Sequence, residues 1–111
     1  LSSSSAASDV YKRQVQNMSY MFYYCKNFNQ NISKWNVHNV QNMSHMFYGC
    51  HKINQNISKW NVSNVQNISY MFYNCKNFNQ DLSKWNVSNI TDINNMFDYC
   101  NKLTIIPNWT E

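Results

Sequence analysis

Four cysteines stand at Cys25, Cys50, Cys75 and Cys100, one every 25 residues, and cysteine can act as nucleophile, metal ligand or disulfide partner. The spacing narrows these choices. Metal sites want paired ligands such as C-x-x-C, and none occurs. Disulfides between successive repeats would need Cα atoms within about 7 Å. A ladder of buried free thiols acting as small hydrophobes fits best, with some disulfide or a metal as the alternatives. His38, His45 and His51 fall in or next to one repeat, and the residues 25 positions away include Ser63, Tyr20, Tyr70, Lys26 and Lys76. Such exchange marks surface positions, with a local metal or pH-sensitive patch as the alternative. No Ser, His and Asp constellation recurs with them, so nucleophilic catalysis has no support. The chain is read as a non-enzyme with no cofactor; a catalytic domain would have to lie elsewhere in a longer protein.

A second periodic set carries charge. Lys34, Lys59 and Lys84 recur beside Asn36, Asn61 and Asn86 and near Ser33, Ser58 and Ser83. Like charges a few ångströms apart either splay into solvent or meet an anionic partner. This row is the candidate ligand face, for an anionic glycan or an acidic protein; a solubilising surface is the alternative. Arg is absent from the repeats, which weakens a nucleic-acid reading. Tyr23, Tyr48 and Tyr73 form another row, placed to flank the core or to stack on sugars. Asn-x-Ser matches such as "NMS" at 17 and 42 and "NVS" at 61 and 86 arise from the repeat itself.

These residues are positioned by a gapless repeat. Cutting at 25 residues yields units at 15–39, 40–64 and 65–89 and a partial fourth at 90–111, the signature of a solenoid in which one unit stacks on copies of itself. Within a unit Val40, Met43, Phe47 and Cys50 stand at i, i+3, i+7 and i+10, the spacing of a helix face. Asn39, Asn64 and Asn89 precede the pattern where an N-cap belongs. Near the helix end, Gly49 and Asn74 suit a left-handed turn, whereas Tyr24 and Tyr99 in the same place do not. Trp60 and Val62, two apart, predict a short strand. With one Gly and one Pro in the chain, the turns must fall to Asn. The expected fold is therefore a right-handed α/β solenoid with short parallel strands on one face and short helices on the other. Its core ladders are Met21, Met46, Met71 and Met96; Phe22, Phe47, Phe72 and Phe97; the four cysteines; and Trp35, Trp60 and Trp85.

The chain of 111 residues is 43% hydrophobic and 16% aromatic, enough for a core. A formal charge of +4 announces neither a nucleic-acid nor a membrane partner. No apolar run approaches the roughly 18 residues a membrane span needs. The head of the chain differs: residues 1–14 hold the only Ala and Arg residues, and Ser4 to Gln14 reads as the translation of a transposase-type sequencing adapter. It is set apart as a scar, with a natural Ser-rich linker as the alternative. From residue 15 on, residues with AT-rich codons dominate, which points to a low-GC genome.

The pattern W-N-V-S-N-V-x-N-[MI]-S-x-M-F-x-x-C-x-x-F-N-Q-[DN]-[LI]-S, covering residues 15 to about 103, resembles the bacterial surface-protein repeat of 25 to 26 residues. That repeat also occurs in mycoplasma lipoproteins and is grouped with BspA-like leucine-rich repeats. The family often has Asp after Trp and Thr before Asn; here Asn36, Asn61 and Asn86 follow Trp, and Gln16, Gln41 and Gln66 replace Thr. The resemblance implies a leucine-rich-repeat-like solenoid on secreted or cell-surface proteins, with adhesion to host or neighbouring-cell proteins or glycans. It offers no catalytic residue. A non-binding spacer or stalk within a larger surface protein is the alternative role.

Overall fold

In the computed structural model, which describes residues 15–110, the backbone keeps the 25-residue period but not the elements expected within it. The scar reading of residues 1–14 falls outside the described residues. Isolated parallel bridges join Asn17 to Asn42, Asn42 to Asn67 and Asn67 to Asp92. Each unit therefore lies against the next as a layer, in the register at which the sequence repeats.

No helix follows the bridge. Between Met43 and Cys50 the chain makes consecutive turns: the Met46 N–H donates to the Met43 carbonyl (3.2 Å), Tyr48 to His45 (3.3 Å) and Cys50 to Phe47 (2.9 Å). Other N–H groups leave the layer, Met43 donating to Asn67 (2.9 Å), His45 to Ser69 (2.9 Å), Phe47 to Met71 (2.9 Å) and Gly49 to Tyr73 (2.8 Å). An α-helix would turn each of these back on the carbonyl four residues earlier. The cause of the break is local. His45 and Gly49 have φ of 57° and 73°, and their equivalents Tyr20, Tyr24, Tyr70, Asn74, Asn95 and Tyr99 lie between 57° and 63°, a left-handed conformation that a right-handed helix does not pass through. The apolar spacing is still satisfied, because the ends of a β-turn, i and i+3, lie close together. Met43 meets Met46, and Phe47 meets Cys50, without a helix.

The expected strand is also replaced by turns. Asn56 Oδ1 accepts the Ser58 N–H (3.1 Å) and Asn61 Oδ1 accepts the Ser63 N–H (3.1 Å). The Trp60 N–H returns to the Ile57 carbonyl (3.1 Å) and Val65 to Val62 (3.0 Å). Short polar side chains that bond the backbone two residues on compete with a strand ladder, and here they prevail. The right-handed, leucine-rich-repeat-like α/β solenoid is thus overturned. Among the described residues, regular structure amounts to the isolated bridges and a 3-10 turn at Asn108–Thr110; the rest is turns and loops.

Packing follows the layers. In the second and third, Met46, Met71, Phe47, Phe72, Cys50, Cys75, Trp60 and Trp85 are buried, whereas in the first Met21 is 37% exposed, Cys25 is exposed and Phe22 and Trp35 are half-buried. In the fourth, Met96 is buried and Phe97 and Cys100 are half-buried. Rings at 22, 47, 72 and 97 stack in sequence with centroids 5.6, 5.3 and 5.8 Å apart. The polar atoms of these ladders bridge layers. Trp60 and Trp85 Nε1 donate to the Ile32 and Ile57 carbonyls (both 3.0 Å), and the Cys50, Cys75 and Cys100 thiols donate to the Phe22, Phe47 and Phe72 carbonyls (all 3.0 Å). In the variant stretch after Leu103, Trp109 stacks on Trp85 (6.4 Å, 7°) and its Nε1 donates to the Leu82 carbonyl (3.3 Å), so the tryptophan rung persists there.

Candidate functional site

The lysine row is built on one recurring turn. Trp35, Trp60 and Trp85 each donate their N–H to the carbonyl three residues earlier, at Ile32, Ile57 and Leu82 (all 3.1 Å). Burial of the turn's apolar ends pins it to the core, and the residue between, Lys34, Lys59 or Lys84, is exposed. Because the Trp60 and Trp85 indoles bond to the preceding layer's Ile32 and Ile57, these turns abut. The three lysines therefore occupy equivalent places in the turns of successive layers.

Asn36, Asn61 and Asn86 are exposed too, but their side-chain oxygens are occupied. They accept the N–H groups of His38 (3.1 Å), Ser63 (3.1 Å) and Ser88 (3.2 Å), and those of Asn61 and Asn86 also accept the Ser63 and Ser88 hydroxyls (2.7 and 2.8 Å). Asn61 Nδ2 further meets His38 Nδ1 (2.9 Å). What this row offers a ligand is thus mainly cationic. The same geometry explains the Asn-x-Ser matches: Asn17, Asn42 and Asn67 hold the N–H of Ser19, Ser44 and Ser69 (all 2.9 Å).

The histidines are not gathered into a site. His38 lies exposed against Asn61, and His51 lies half-buried near Asn74 (Nδ2 to Nε2, 3.4 Å). His45 is sandwiched between Tyr20 (4.5 Å, 6°) and Tyr70 (4.8 Å, 12°). Its Nδ1 is buried without a hydrogen-bond partner, and burial lowers its pKa. Among the described residues no group of three or more His, Cys, Asp or Glu could hold a metal ion.

One contact escaped the sequence reading: Gly49 is buried, and Tyr24 lies across it. The positions of Lys26, His51 and Lys76, read from the sequence only as an interchangeable surface set, form a second basic row. The Lys52 N–H donates to the Lys26 carbonyl (3.2 Å) and Asn77 Nδ2 to the His51 carbonyl (2.8 Å), tying successive members together. Burial, then Lys76 and Lys26, lowers the His51 pKa, so both lysines act on the imidazole between them. The signal for this row was the recurrence of Lys at 26 and 76, masked by the change of residue type at His51 and Asn101.

Among the described residues no helix is long and apolar enough to cross a membrane. No curated protein and no solved structure shows significant similarity to the chain. A family model does match, over residues 3–109 and so over most of the 111: the chain belongs to the family described as Mycoplasma protein of unknown function, DUF285.

Proposed function

We propose that the chain is an interaction module of a secreted or cell-surface protein, engaging an anionic protein or glycan on a host or neighbouring cell. The observation that carries this reading is the set of exposed lysines, Lys34, Lys59 and Lys84, held at equivalent places by identical turns. Each layer adds a weak contact, and repetition adds avidity. Membership of a Mycoplasma family agrees with the low-GC source read from the composition, and the motif's resemblance to BspA-like surface repeats supports a surface location. The test is an array of glycans and matrix proteins probed with the chain and with Lys34→Gln/Lys59→Gln/Lys84→Gln. The reading expects the triple variant to lose signal on at least one array member that the parent chain binds, while its thermal unfolding is unchanged.

The spacer reading has an observation of its own. The oxygens of Asn36, Asn61 and Asn86 hold their own turns, so the recurrence of Asn there has a structural cause that needs no ligand. Absence of binding to every surface by the well-folded chain would favour that role.

A further inference from the structure

Away from the lysine turns, the left-handed turns carry most of the tyrosines. Tyr23, Tyr48 and Tyr73 run across three layers with ring centroids 5.0 and 4.6 Å apart. Beside them run Tyr20, His45 and Tyr70, stacked at 4.5 and 4.8 Å. Tyr20 is 51% and Tyr23 42% exposed. Rings stacked this closely and this nearly parallel (6° and 12° in one row, 9° between Tyr48 and Tyr73) cover one another's faces. Between Tyr48 and Tyr73 and along Tyr20, His45 and Tyr70 the facing ring surfaces are therefore withdrawn from solvent, whereas Tyr23 is tilted 32° from Tyr48. Ring edges carry the positive end of the aromatic quadrupole, and phenols donate hydrogen bonds. The basic row of Lys26, His51 and Lys76 borders them: Asn74, next to Tyr73 in the chain, approaches His51 at 3.4 Å.

The lysines and phenols here favour an oxyanion and recur once per layer, although Asp98, which acts on Tyr73, opposes one. An irregular acidic protein surface would meet this rhythm only by chance. Single-stranded nucleic acid binds aromatic surfaces by stacking bases on open ring faces, and the faces within these rows are already covered. We propose that the tyrosine rows and the Lys26–His51–Lys76 border form a second binding face, for an anionic polysaccharide whose carboxylate or sulfate groups accept from the phenols and pair with the lysines. Burial, then the neighbouring Tyr24, with which its hydroxyl is also hydrogen-bonded, and Tyr73 and Tyr23 push the Tyr48 pKa up to about 12; a phenol carries its proton at neutral pH in any case. The face is independent of the Lys34, Lys59 and Lys84 row.

The test is titration of the whole 111-residue chain with heparin, with polygalacturonate, with a neutral β-glucan, and with single-stranded DNA and polyglutamate as polyanion controls. The proposal expects one or both anionic polysaccharides to bind and the neutral glucan not to; heparin alone would assign sulfate, polygalacturonate alone carboxylate. Lys26→Gln/Lys76→Gln should weaken binding about tenfold. Tyr48→Phe/Tyr73→Phe, which keeps the rings and removes only hydroxyls, should weaken it about fivefold. The Lys34→Gln/Lys59→Gln/Lys84→Gln variant should bind as the parent does, and melting curves should show all three variants folded. Equal binding of DNA or polyglutamate, loss confined to the Lys34, Lys59 and Lys84 variant, or no polysaccharide binding at all would overturn the proposal.

Discussion

A Cβ placed on Gly49 would lie 2.7 Å from Cδ1 of Tyr24 and 3.0 Å from Cε1, closer than van der Waals contact allows. Gly49 also has φ of 73°. Gly49→Ala should therefore destabilise the chain by about 2 kcal/mol, part ring displacement and part left-handed backbone. A double-mutant cycle separates the parts. In a Tyr24→Ala background the penalty should fall to about 1 kcal/mol, and an unchanged penalty would mean that the ring plays no role. The cysteines test burial differently. Burial raises Cys50 from its ordinary 9.0 to about 12 and Cys100 to about 11, and raises Cys75 as well. A folded pKa above the unfolded one means that the native chain holds its proton more tightly. The stability this contributes is complete below about pH 9 and is lost as pH rises toward 12. At neutral pH a thiol reagent should label exposed Cys25 rapidly and Cys50 and Cys75 only after denaturant is added; labelling of all four at one rate would contradict the packing ladder.

Between layers, the turns are tied by side chains as much as by backbone. Asn54 Oδ1 accepts the Asn79 N–H (2.9 Å) and Gln80 Nε2 (3.0 Å), while the Asn54 N–H donates to Asn29 Oδ1 (3.0 Å). Asn54→Ala removes the acceptor and should cost about 1 to 2 kcal/mol in denaturant unfolding. Asn54→Asp keeps an acceptor oxygen and should stay near the parent; if both variants lose equally, the ladder is not what stabilises this edge. The elements themselves were only partly legible. The 25-residue register could be read because it needs no assumption about secondary structure, and the bridges obey it. The helix could not, because apolar residues at i and i+3 suit a helix face and a run of β-turns alike, and the deciding φ values at Tyr20 and Tyr70 belong to a residue type that seldom adopts them. Trp60 and Val62 misled in the same way, since the alternation of two residues says nothing about the Asx turns at Asn56, before the pair, and at Asn61, within it. Lys34, Lys59 and Lys84 were legible as a row because their type never changes; the Lys26, His51 and Lys76 row was not.

For the molecule as a whole, each layer contacts its neighbours, so stability should be distributed as in other repeat proteins, as a sum of layer and interface contributions. The match to the family starts at residue 3 and ends at residue 109, spanning the three full repeat units, most of the partial fourth and part of the head. Phe72 is fully buried, with Phe47 at 5.3 Å on one side and Phe97 at 5.8 Å on the other. Phe97 is half-buried and stacks on Phe72. Phe72→Ala should therefore cost about 3 to 5 kcal/mol, and Phe97→Ala about half as much, because it vacates a less enclosed space. Phe47 and Phe72 also share a stacked contact, so Phe47→Ala already removes part of what Phe72→Ala would lose. The double variant, compared by guanidinium unfolding with each single one, should be less destabilised than the sum by about 1 kcal/mol. Strict additivity, or equal costs at Phe72 and Phe97, would show that the rings act as separate anchors and that cooperativity between layers rests on the backbone bonds from Met43, His45, Phe47 and Gly49 to the next layer.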